Sequence, residues 1–158
     1  MKSSELPGLF REFAGNAKTP KLIFKSRFIK FEKILKKEIE TGYRLAVECM
    51  ESFPELELEF YKVESKNKIK SYVVNTISQE KPNTTIILAQ CSNGRCYFSA
   101  RRQDFKIKMN ELVEDAVRGI PNASGGGHIP AAAGSFPTEF GEQFKENVKR
   151  ILAEKMKK

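Results

Sequence analysis

Hydrophobic residues recur with a helical period in two stretches of the chain. Between Phe28 and about Ser52 they lie three or four positions apart, which predicts one long amphipathic helix that ends before Pro54. The same spacing from Phe140 to Met156 predicts a C-terminal helix. A short helix near residues 8–14 is expected within an N-terminal segment that is otherwise irregular.

Alternation of apolar and polar residues predicts strands in the middle of the chain. Leu56, Leu58 and Phe60 alternate with charged residues, which indicates a half-buried strand over 56–63. A short buried strand is predicted over 84–89. Asn93-Gly94 follows it, and this dipeptide is typical of a two-residue hairpin turn. We therefore expect residues 95–101 to pair antiparallel with this strand.

Two further helices are predicted between and after these strands. Residues 68–79 combine a β-branched run with helical spacing, and Asn67 as an N-cap and Pro82 as a stop favour the helix. Asn110 is expected to cap a second helix that ends at Gly119. Together the elements predict an α+β fold, in which helices flank a small mixed β-sheet and a long amphipathic helix precedes it. Residues 1–53 would form a connector and this helix, and residues 54–158 the sheet domain.

Composition and charge narrow the classes of protein. The chain has 158 residues, a net charge of +8 and 40% hydrophobic residues, as expected of one globular domain with affinity for polyanions. Eight Lys or Arg residues lie between Asn16 and Lys37, although a solvated helix face is the better explanation of such a run. No apolar run is long enough to span a bilayer, and the N-terminus lacks the apolar core of a signal peptide. We expect no membrane association and a cytoplasmic location.

Metal-ligating residues are few. One His and the three cysteines, Cys49, Cys91 and Cys96, do not form a zinc motif, and the odd number of cysteines indicates reduced cytosolic thiols. We therefore predict that this chain binds no metal ion itself.

The candidate chemistry is concentrated in a glycine-rich loop, Ser124-Gly125-Gly126-Gly127-His128. Glycines allow backbone N–H groups to approach an anion closely, and His128 could donate a hydrogen bond to a phosphate or act as a general acid. The alternatives are a flexible linker and a histidine on the surface. The small residues that follow, 131–134, would let a strand lie flat against a neighbour or a ligand.

A second candidate lies at the end of the strand predicted over 95–101. Alternation places Ser99 and Arg101 on one face of this strand, and arginine is a natural bidentate partner of phosphate. An ordinary arginine on an edge strand is the alternative.

The order of these pieces resembles the DHHA1 domain of the DHH phosphoesterase superfamily. That domain has a strand ending in Ser-x-Arg, a helix, then Gly-Gly-Gly-His and Ala-Ala-Gly. The matching residues here are Ser99 to Arg101, Gly125 to His128 and Ala132 to Gly134, and the resemblance runs from about Leu56 to the C-terminus.

The resemblance implies a substrate-binding role for the glycine run and the strand arginine. In this family the smaller lobe contacts substrate phosphates, and a larger DHH lobe holds manganese or magnesium and activates water. Ser99, Arg101 and Ser124 to His128 would then bind phosphate, with His128 also catalytic. The basic N-terminal helix resembles archaeal RecJ-like exonucleases. Oligonucleotide phosphatases of the nanoRNase type are a second possibility, and the alanyl-tRNA synthetase version fits less well because His128 is present.

The chain departs from the family because the catalytic lobe is missing. The Asp-His-His motif needs adjacent histidines, and only His128 exists here. We therefore expect the C-terminal lobe of a split RecJ-like exonuclease, acting on single-stranded nucleic acid or oligonucleotides in repair or replication. A separate DHH-lobe polypeptide would join it in a heterodimer or heterotetramer, docking where Phe24, Phe28 and Phe31 are left uncovered. A free nucleic-acid-binding module and a structural subunit of a replication or repair complex are the alternatives.

Overall fold

The computed structural model describes residues 27–64 and 69–157 of the chain. Two compact units divide after Glu40, inside the first helix, and all strands belong to the unit that begins at Thr41. The helices are α1 (Arg27–Glu48), α2 (Lys70–Glu80), α3 (Met109–Val117) and α4 (Gly141–Met156). The strands are β1 (Glu51–Phe53), β2 (Leu58–Lys62), β3 (Thr85–Ser92), β4 (Arg95–Arg101), β5 (Ser124–His128) and β6 (Ala131–Pro137).

The strands form one six-stranded sheet in the order β1-β2-β3-β4-β6-β5. Only β2 and β3 pair in parallel, and α2 connects them, whereas the other neighbours are antiparallel. In this arrangement β6 lies between β4 and β5, although it follows β5 along the chain. The predicted α+β class, with helices flanking a mixed sheet, is confirmed.

The β3–β4 hairpin has the predicted turn. Asn93 and Gly94 have φ values of +50° and +74°, the pair of left-handed conformations that a type I′ turn requires. The hairpin register places Cys91 opposite Cys96, and the two form a disulfide, while Cys49 is free and exposed. The expectation of three reduced thiols is therefore wrong for two of them, because pairing depends on strand register and not on the number of cysteines.

One face of the sheet packs against α3 and α4. Phe98 of β4 and Phe136 of β6 both contact the ring of Phe144 from α4, each with ring centroids 4.6 Å apart. On the opposite face, α2 packs on β3 and β4 and buries Val73, Val74 and Ile77. On this side, Ala133 and His128, in β6 and β5, are exposed. We call this side of β4, β6 and β5 the open face.

Several predicted element boundaries differ from the structure, and for two of them the reason is clear. The first helix ends at Glu48 and not near Ser52, because residues 51–53 pair with β2 as β1. Asn110 lies inside α3 and does not cap it; its side-chain oxygen is buried and has no hydrogen-bond partner among the described residues. The helix expected near residues 8–14 lies outside the described residues. Within the described ranges, no helix is long and apolar enough to cross a membrane.

Arg102, directly after β4, has a fully buried side chain held by two carboxylates. Its guanidinium donates to both oxygens of Asp104, at 2.7 and 2.9 Å, and to Glu57 at 2.5 Å. A further donation reaches the Thr85 hydroxyl at 3.3 Å. These bonds to Arg102 hold the pKa values of Glu57 and Asp104 below their ordinary range. The cluster ties the starts of β2 and β3 to the end of β4.

We expect Arg102→Met to lower the free energy of unfolding by on the order of 3 kcal/mol at neutral pH, measured by urea denaturation. Because the carboxylate pKa values are lowered in the folded state, this contribution is full above about pH 4 to 5. It is lost as the pH falls through the lowered values. The control is Arg118→Met, whose exposed ion pair with Asp115 contributes less than about 1 kcal/mol. Equal losses in the two variants, or a difference that does not shrink in acid, would contradict this account.

A candidate anion-binding site on the open face

Strand register brings five of the seven predicted site residues onto the open face, whereas Gly125 and Gly127 lie on the opposite, core-facing side. Directly opposite residues of antiparallel strands share a face of the sheet. Arg101, Ala131 and His128 form one row across β4, β6 and β5. The two neighbouring rows are Ser99, Ala133 and Gly126, then Tyr97, Ser135 and Ser124. Residues from two separate segments of the sequence are thereby collected on one surface.

Small residues separate Arg101 from His128. Their backbones lie two strand spacings apart, about 10 Å, with only the Ala131 methyl group between them. Both side chains are long enough to lean towards a ligand in this gap. The His128 side chain is exposed, whereas the Ser99 side chain is only 2% exposed and lies beneath this surface.

Arg101 is held by neutral groups alone within the described part of the chain. Its Nε donates to the Asn75 side chain of α2 at 2.9 Å. Its Nη1 donates to the carbonyl oxygens of Ala100 and Ala132, at 2.9 and 3.3 Å. Partial burial lowers the pKa of Arg101 from its ordinary value, so its positive charge is incompletely solvated. Such a guanidinium is oriented but not neutralised, and an anion would stabilise it.

Lys70 is a second half-buried cation, and it begins α2, the helix that holds Arg101 through Asn75. Burial, and then the nearby charge of Arg101, lower its pKa to about 8. Among the residues of known placement, no carboxylate pairs with it. The sequence analysis missed this residue. One signal was available, because a lysine in the first turn opposes the helix dipole and calls for a compensating reason.

The glycine run forms a strand and not the predicted loop. Residues 124–128 pair with β6 as β5, at the edge of the sheet. Glycine has a low strand propensity, which explains the wrong prediction. Gly125 lies against Val113 of α3, where a Cβ would overlap the valine side chain. Gly127 has φ of +153°, and a Cβ there would lie 2.5 Å from the Ala131 carbonyl oxygen.

Gly126 is the one glycine of the run with room above it. A Cβ there would meet only the Glu114 carboxylate, at an ordinary distance of 3.8 Å. Two glycines of the run are therefore required by packing and backbone conformation, while Gly126 keeps the open face accessible. The Ser124 hydroxyl lies 3.4 Å from that of Ser135, which accepts hydrogen bonds from Arg95.

Within residues 27–64 and 69–157, no group of three or more His, Cys, Asp or Glu side chains is arranged to hold a metal ion. The two aspartates, Asp104 and Asp115, are paired with Arg102 and Arg118. The site therefore supplies cations and a histidine, which suits anion binding.

Comparison with known proteins identifies a matching domain family. The sequence profile of the DHHA1 domain matches residues 57–154, which is most of the chain. No match is found among curated protein sequences.

Several solved structures share the fold. RecJ from Thermus thermophilus, in complex with Mn²⁺, has a TM-score of 0.63 at 17% identity, covering 79% of this chain and 18% of RecJ. A pGpG-specific phosphodiesterase from Vibrio cholerae has a TM-score of 0.54 at 14% identity, covering 85% of this chain and 45% of the enzyme. The C-Ala domain of Aquifex aeolicus alanyl-tRNA synthetase has a TM-score of 0.50 at 16% identity, covering 61% of this chain and 87% of that domain. This chain thus spans less than half the length of RecJ and of the pGpG-specific phosphodiesterase.

Alanine substitutions should separate the structural glycine from the functional one. Gly125→Ala should lower the free energy of unfolding by about 1–3 kcal/mol, because the methyl group collides with Val113. Gly126→Ala should change stability by less than about 0.5 kcal/mol. It should weaken sulfate binding roughly 3- to 10-fold, the effect of about one lost hydrogen bond. Urea denaturation and NMR titration measure the two effects. Unchanged sulfate binding by Gly126→Ala would exclude β5 from the site.

Lys70 predicts a pH dependence of anion binding. Below pH 8 the lysine is charged, and as the pH rises through about 8 the free protein loses this charge, so sulfate affinity should fall. Sulfate keeps its own charge over this range. Lys70→Met should bind weakly already at pH 7 and lose the pH dependence, whereas Lys70→Arg should bind equally at pH 7 and 9.5. Lys108→Met, which removes an exposed lysine paired with Glu111, is the matched control. If Lys70→Met kept the wild-type dependence of sulfate affinity on pH, Lys70 would not be part of the site.

Proposed function

The chain belongs to the DHHA1 domain family, and from this premise we propose that it is the substrate-binding lobe of a split RecJ-like exonuclease. It is related to RecJ and to other DHH phosphoesterases. In this proposal Arg101 and Lys70 bind phosphate groups of single-stranded nucleic acid across the open face. A separate polypeptide with a DHH lobe holds manganese or magnesium and supplies the attacking water.

The observation that carries the proposal is that Arg101 and Lys70 have no carboxylate partner within residues 27–64 and 69–157. Arg102, which follows Arg101 in the sequence, is neutralised by Glu57 and Asp104. Carboxylates are therefore present close to Arg101. Among the described residues, Arg101 instead donates to one amide oxygen and two carbonyl oxygens. A structural role would be served better by a carboxylate. A half-buried guanidinium oriented by neutral acceptors fits a site whose counter-charge is the ligand.

His128 has a role in this proposal that differs from that of the two cations. It is exposed at the outer end of the Arg101 row and has no part in the core. A phosphate held at Arg101 would lie within reach of the imidazole, which can donate a hydrogen bond to a phosphate oxygen or to the leaving oxygen. We assign His128 as the catalytic contribution of this lobe.

Hydrolysis is assigned to the other lobe because of the residues that this sequence contains. Phosphodiester hydrolysis by two metal ions needs several Asp or His ligands that hold ions about 3.5–4 Å apart. The chain has a single His, and both aspartates form ion pairs with arginines. The residues present do not fit a two-metal site, so the hydrolytic step belongs to the other lobe.

The first helix is the proposed docking region for that lobe. Four large apolar side chains of α1 are exposed: Ile34, Leu35, Leu45 and Val47. Of the three phenylalanines expected to be uncovered, Phe31 is partly exposed, and Phe24 and the Phe28 side chain lie outside the described residues. Exposed apolar groups concentrated on one helix are typical of protein interfaces.

A second candidate function is a free nucleic-acid-binding module, which the C-Ala domain favours. That domain shares the fold and belongs to an alanyl-tRNA synthetase, so the fold also occurs in a protein of another enzyme class. In this alternative the cations bind nucleic acid and no catalytic lobe joins the chain.

The test of the proposed function is nucleic-acid binding by the full chain, measured by fluorescence anisotropy with a 5′-phosphorylated single-stranded oligonucleotide. Arg101→Ala should weaken binding about 10- to 150-fold, since a charge-assisted hydrogen bond contributes roughly 1.5–3 kcal/mol. The slope of log affinity against log salt should become shallower by about one phosphate contact. The control Arg150→Ala removes an exposed arginine paired with Glu154 and should change affinity little.

Each outcome distinguishes the candidates. If Arg101→Ala and Arg150→Ala weakened oligonucleotide binding equally, the binding would be unspecific attraction to a basic protein. The phosphate site at Arg101 would then be wrong. Manganese-dependent hydrolysis by the pure chain would contradict the division of labour. Manganese-dependent hydrolysis only after a DHH-lobe polypeptide is added, abolished by His128→Ala, would support the split enzyme over the free module.

A further inference from the structure

The disulfide between Cys91 and Cys96 joins two residues of one hairpin, five positions apart in the sequence. A disulfide stabilises a fold mainly by restricting the unfolded chain, and this restriction is smallest for short loops. The Asn93-Gly94 turn and the pairing of β3 with β4 already place the two cysteines opposite each other. The bridge is therefore not needed to specify the hairpin, and a second reason for two opposed cysteines has to be sought.

Both cysteines line a cavity on the core side of the sheet, away from the open face. The cavity has a volume of about 130 Å³, and its apolar wall includes Phe136 and Phe144. Cys49 lines the same cavity and is exposed, so the cavity opens to solvent. A small molecule can therefore reach the disulfide from solution.

The two bridged cysteines differ in exposure. Cys91 is partly exposed, whereas Cys96 is only 3% exposed. An external thiol would therefore attack the Cys91 sulfur and release Cys96 as a thiolate. Gly141, the first residue of α4, and Lys145, which also pairs with Glu51, line the cavity that receives this charge. The positive end of a helix and an ammonium group both favour a thiolate, which makes Cys96 a good leaving group.

Thr138 connects the end of the hairpin to the start of α4. Its N–H donates to the Gly94 carbonyl oxygen at 3.0 Å, and its hydroxyl lies 3.7 Å from the Cys96 sulfur. It begins the short 3-10 turn Thr138–Phe140, which directly precedes α4. Breaking the bridge would therefore loosen the hairpin end and the start of α4 together, while Arg101 lies at the opposite end of β4.

We propose that Cys91 and Cys96 form a redox-active pair, which exchanges reversibly with a small thiol in this cavity and thereby controls the order of the hairpin end and of the start of α4. This inference does not depend on the proposed function. It assigns a site of thiol–disulfide exchange on the side of the sheet that faces away from the anion-binding residues.

The exchange has two steps. The thiolate of the small molecule attacks the Cys91 sulfur and forms a mixed disulfide. The bond from Cys91 to Cys96 breaks, its electron pair goes to the Cys96 sulfur, and that thiolate takes a proton from water. A second small thiolate then attacks the sulfur of the first and releases Cys91 as a thiolate, which is protonated in turn. The protein pair gains two electrons, and the two small thiols are oxidised to a disulfide.

The experiment treats the native full chain with excess reduced glutathione, without denaturant, and then labels free thiols with iodoacetamide for mass spectrometry. We expect three labelled cysteines after the treatment and only Cys49 before it. Oxidised glutathione should restore the single label. The reduced chain should keep its far-UV circular dichroism and a cooperative thermal transition, because the hairpin is specified without the bridge.

Three results of this experiment would overturn the proposal. The first is a bridge that glutathione reduces only after urea has unfolded the chain. The second is a chain that unfolds when the bridge is reduced, because the disulfide would then be structural. The third is a chain that still shows three labelled cysteines after treatment with oxidised glutathione.

Cysteine variants test the direction of attack, all with Cys49→Ala to remove the third thiol. Cys96→Ser should hold glutathione as a stable mixed disulfide on Cys91, since the sulfur that would displace it is gone. Cys91→Ser is the matched control and should hold far less, because Cys96 is buried. Equal amounts of mixed disulfide in the two variants would contradict attack at Cys91. Loss of the exchange in Cys49→Ala alone would contradict its assignment to this pair.

Amide hydrogen exchange tests the conformational consequence. Reduction should lower the protection of residues 92–97 and 138–141 and leave that of residues 99–101 unchanged. Sulfate binding at Arg101 should be equal in the oxidised and the reduced chain, so failure of the phosphate site would leave this inference intact. Identical protection in the two states would overturn the coupling to α4, and a fall in sulfate affinity on reduction would show that the effect is not confined to the hairpin end.

Discussion

Gly134 lies at the centre of the β4–β6–β5 half of the sheet, directly opposite Phe98 on one side and Gly125 on the other. A Cβ at this position would lie 2.6 Å from the Phe98 ring and would overlap the Ser124 carbonyl oxygen. A side chain at this position would collide with both neighbours, so the residue must be glycine. A shift of β6 by one residue would exchange its two faces and place Phe136 on the open face. This contact therefore fixes both the core and the site.

Arg101 and Arg102 are adjacent in sequence but have different roles: Arg102 stabilises the fold, and Arg101 is the proposed ligand contact. Arg102 leaves the end of β4 into a buried cluster of carboxylates, whereas Arg101 stays in the strand and points to the open face. The difference follows from alternation and from where the strand ends. The same three strands thus supply an aromatic core on one side and an unneutralised, cationic surface on the other.

The sequence predicted those features that local chemistry determines. Asn93-Gly94 dictates its hairpin, and the helical spacing at 68–79 and 140–156 holds in α2 and α4. The prediction for the glycine run was wrong because its strand is formed by tertiary pairing with β6 and against glycine's own preference. The disulfide and the burial of Ser99 depend on register, and the charge coupling of Lys70 to Arg101 depends on how α2 packs on β4. The disulfide follows from the short Asn93-Gly94 hairpin and could have been predicted from it, whereas the burial of Ser99 and the position of Lys70 depend on distant parts of the chain.

The insertion of β6 between β4 and β5 has a consequence for how the protein folds. Arg101, Lys70 and His128 come from three distant segments: Lys70 is carried by α2, which packs on β4, and His128 joins only after the β5–β6 hairpin has docked on β4. Closing such nonlocal contacts is entropically costly. A chain in which this hairpin has not docked lacks the complete anion site, so the anion binds the native state most tightly. Anion binding would therefore shift the folding equilibrium towards the native state and stabilise the docked β5–β6 hairpin.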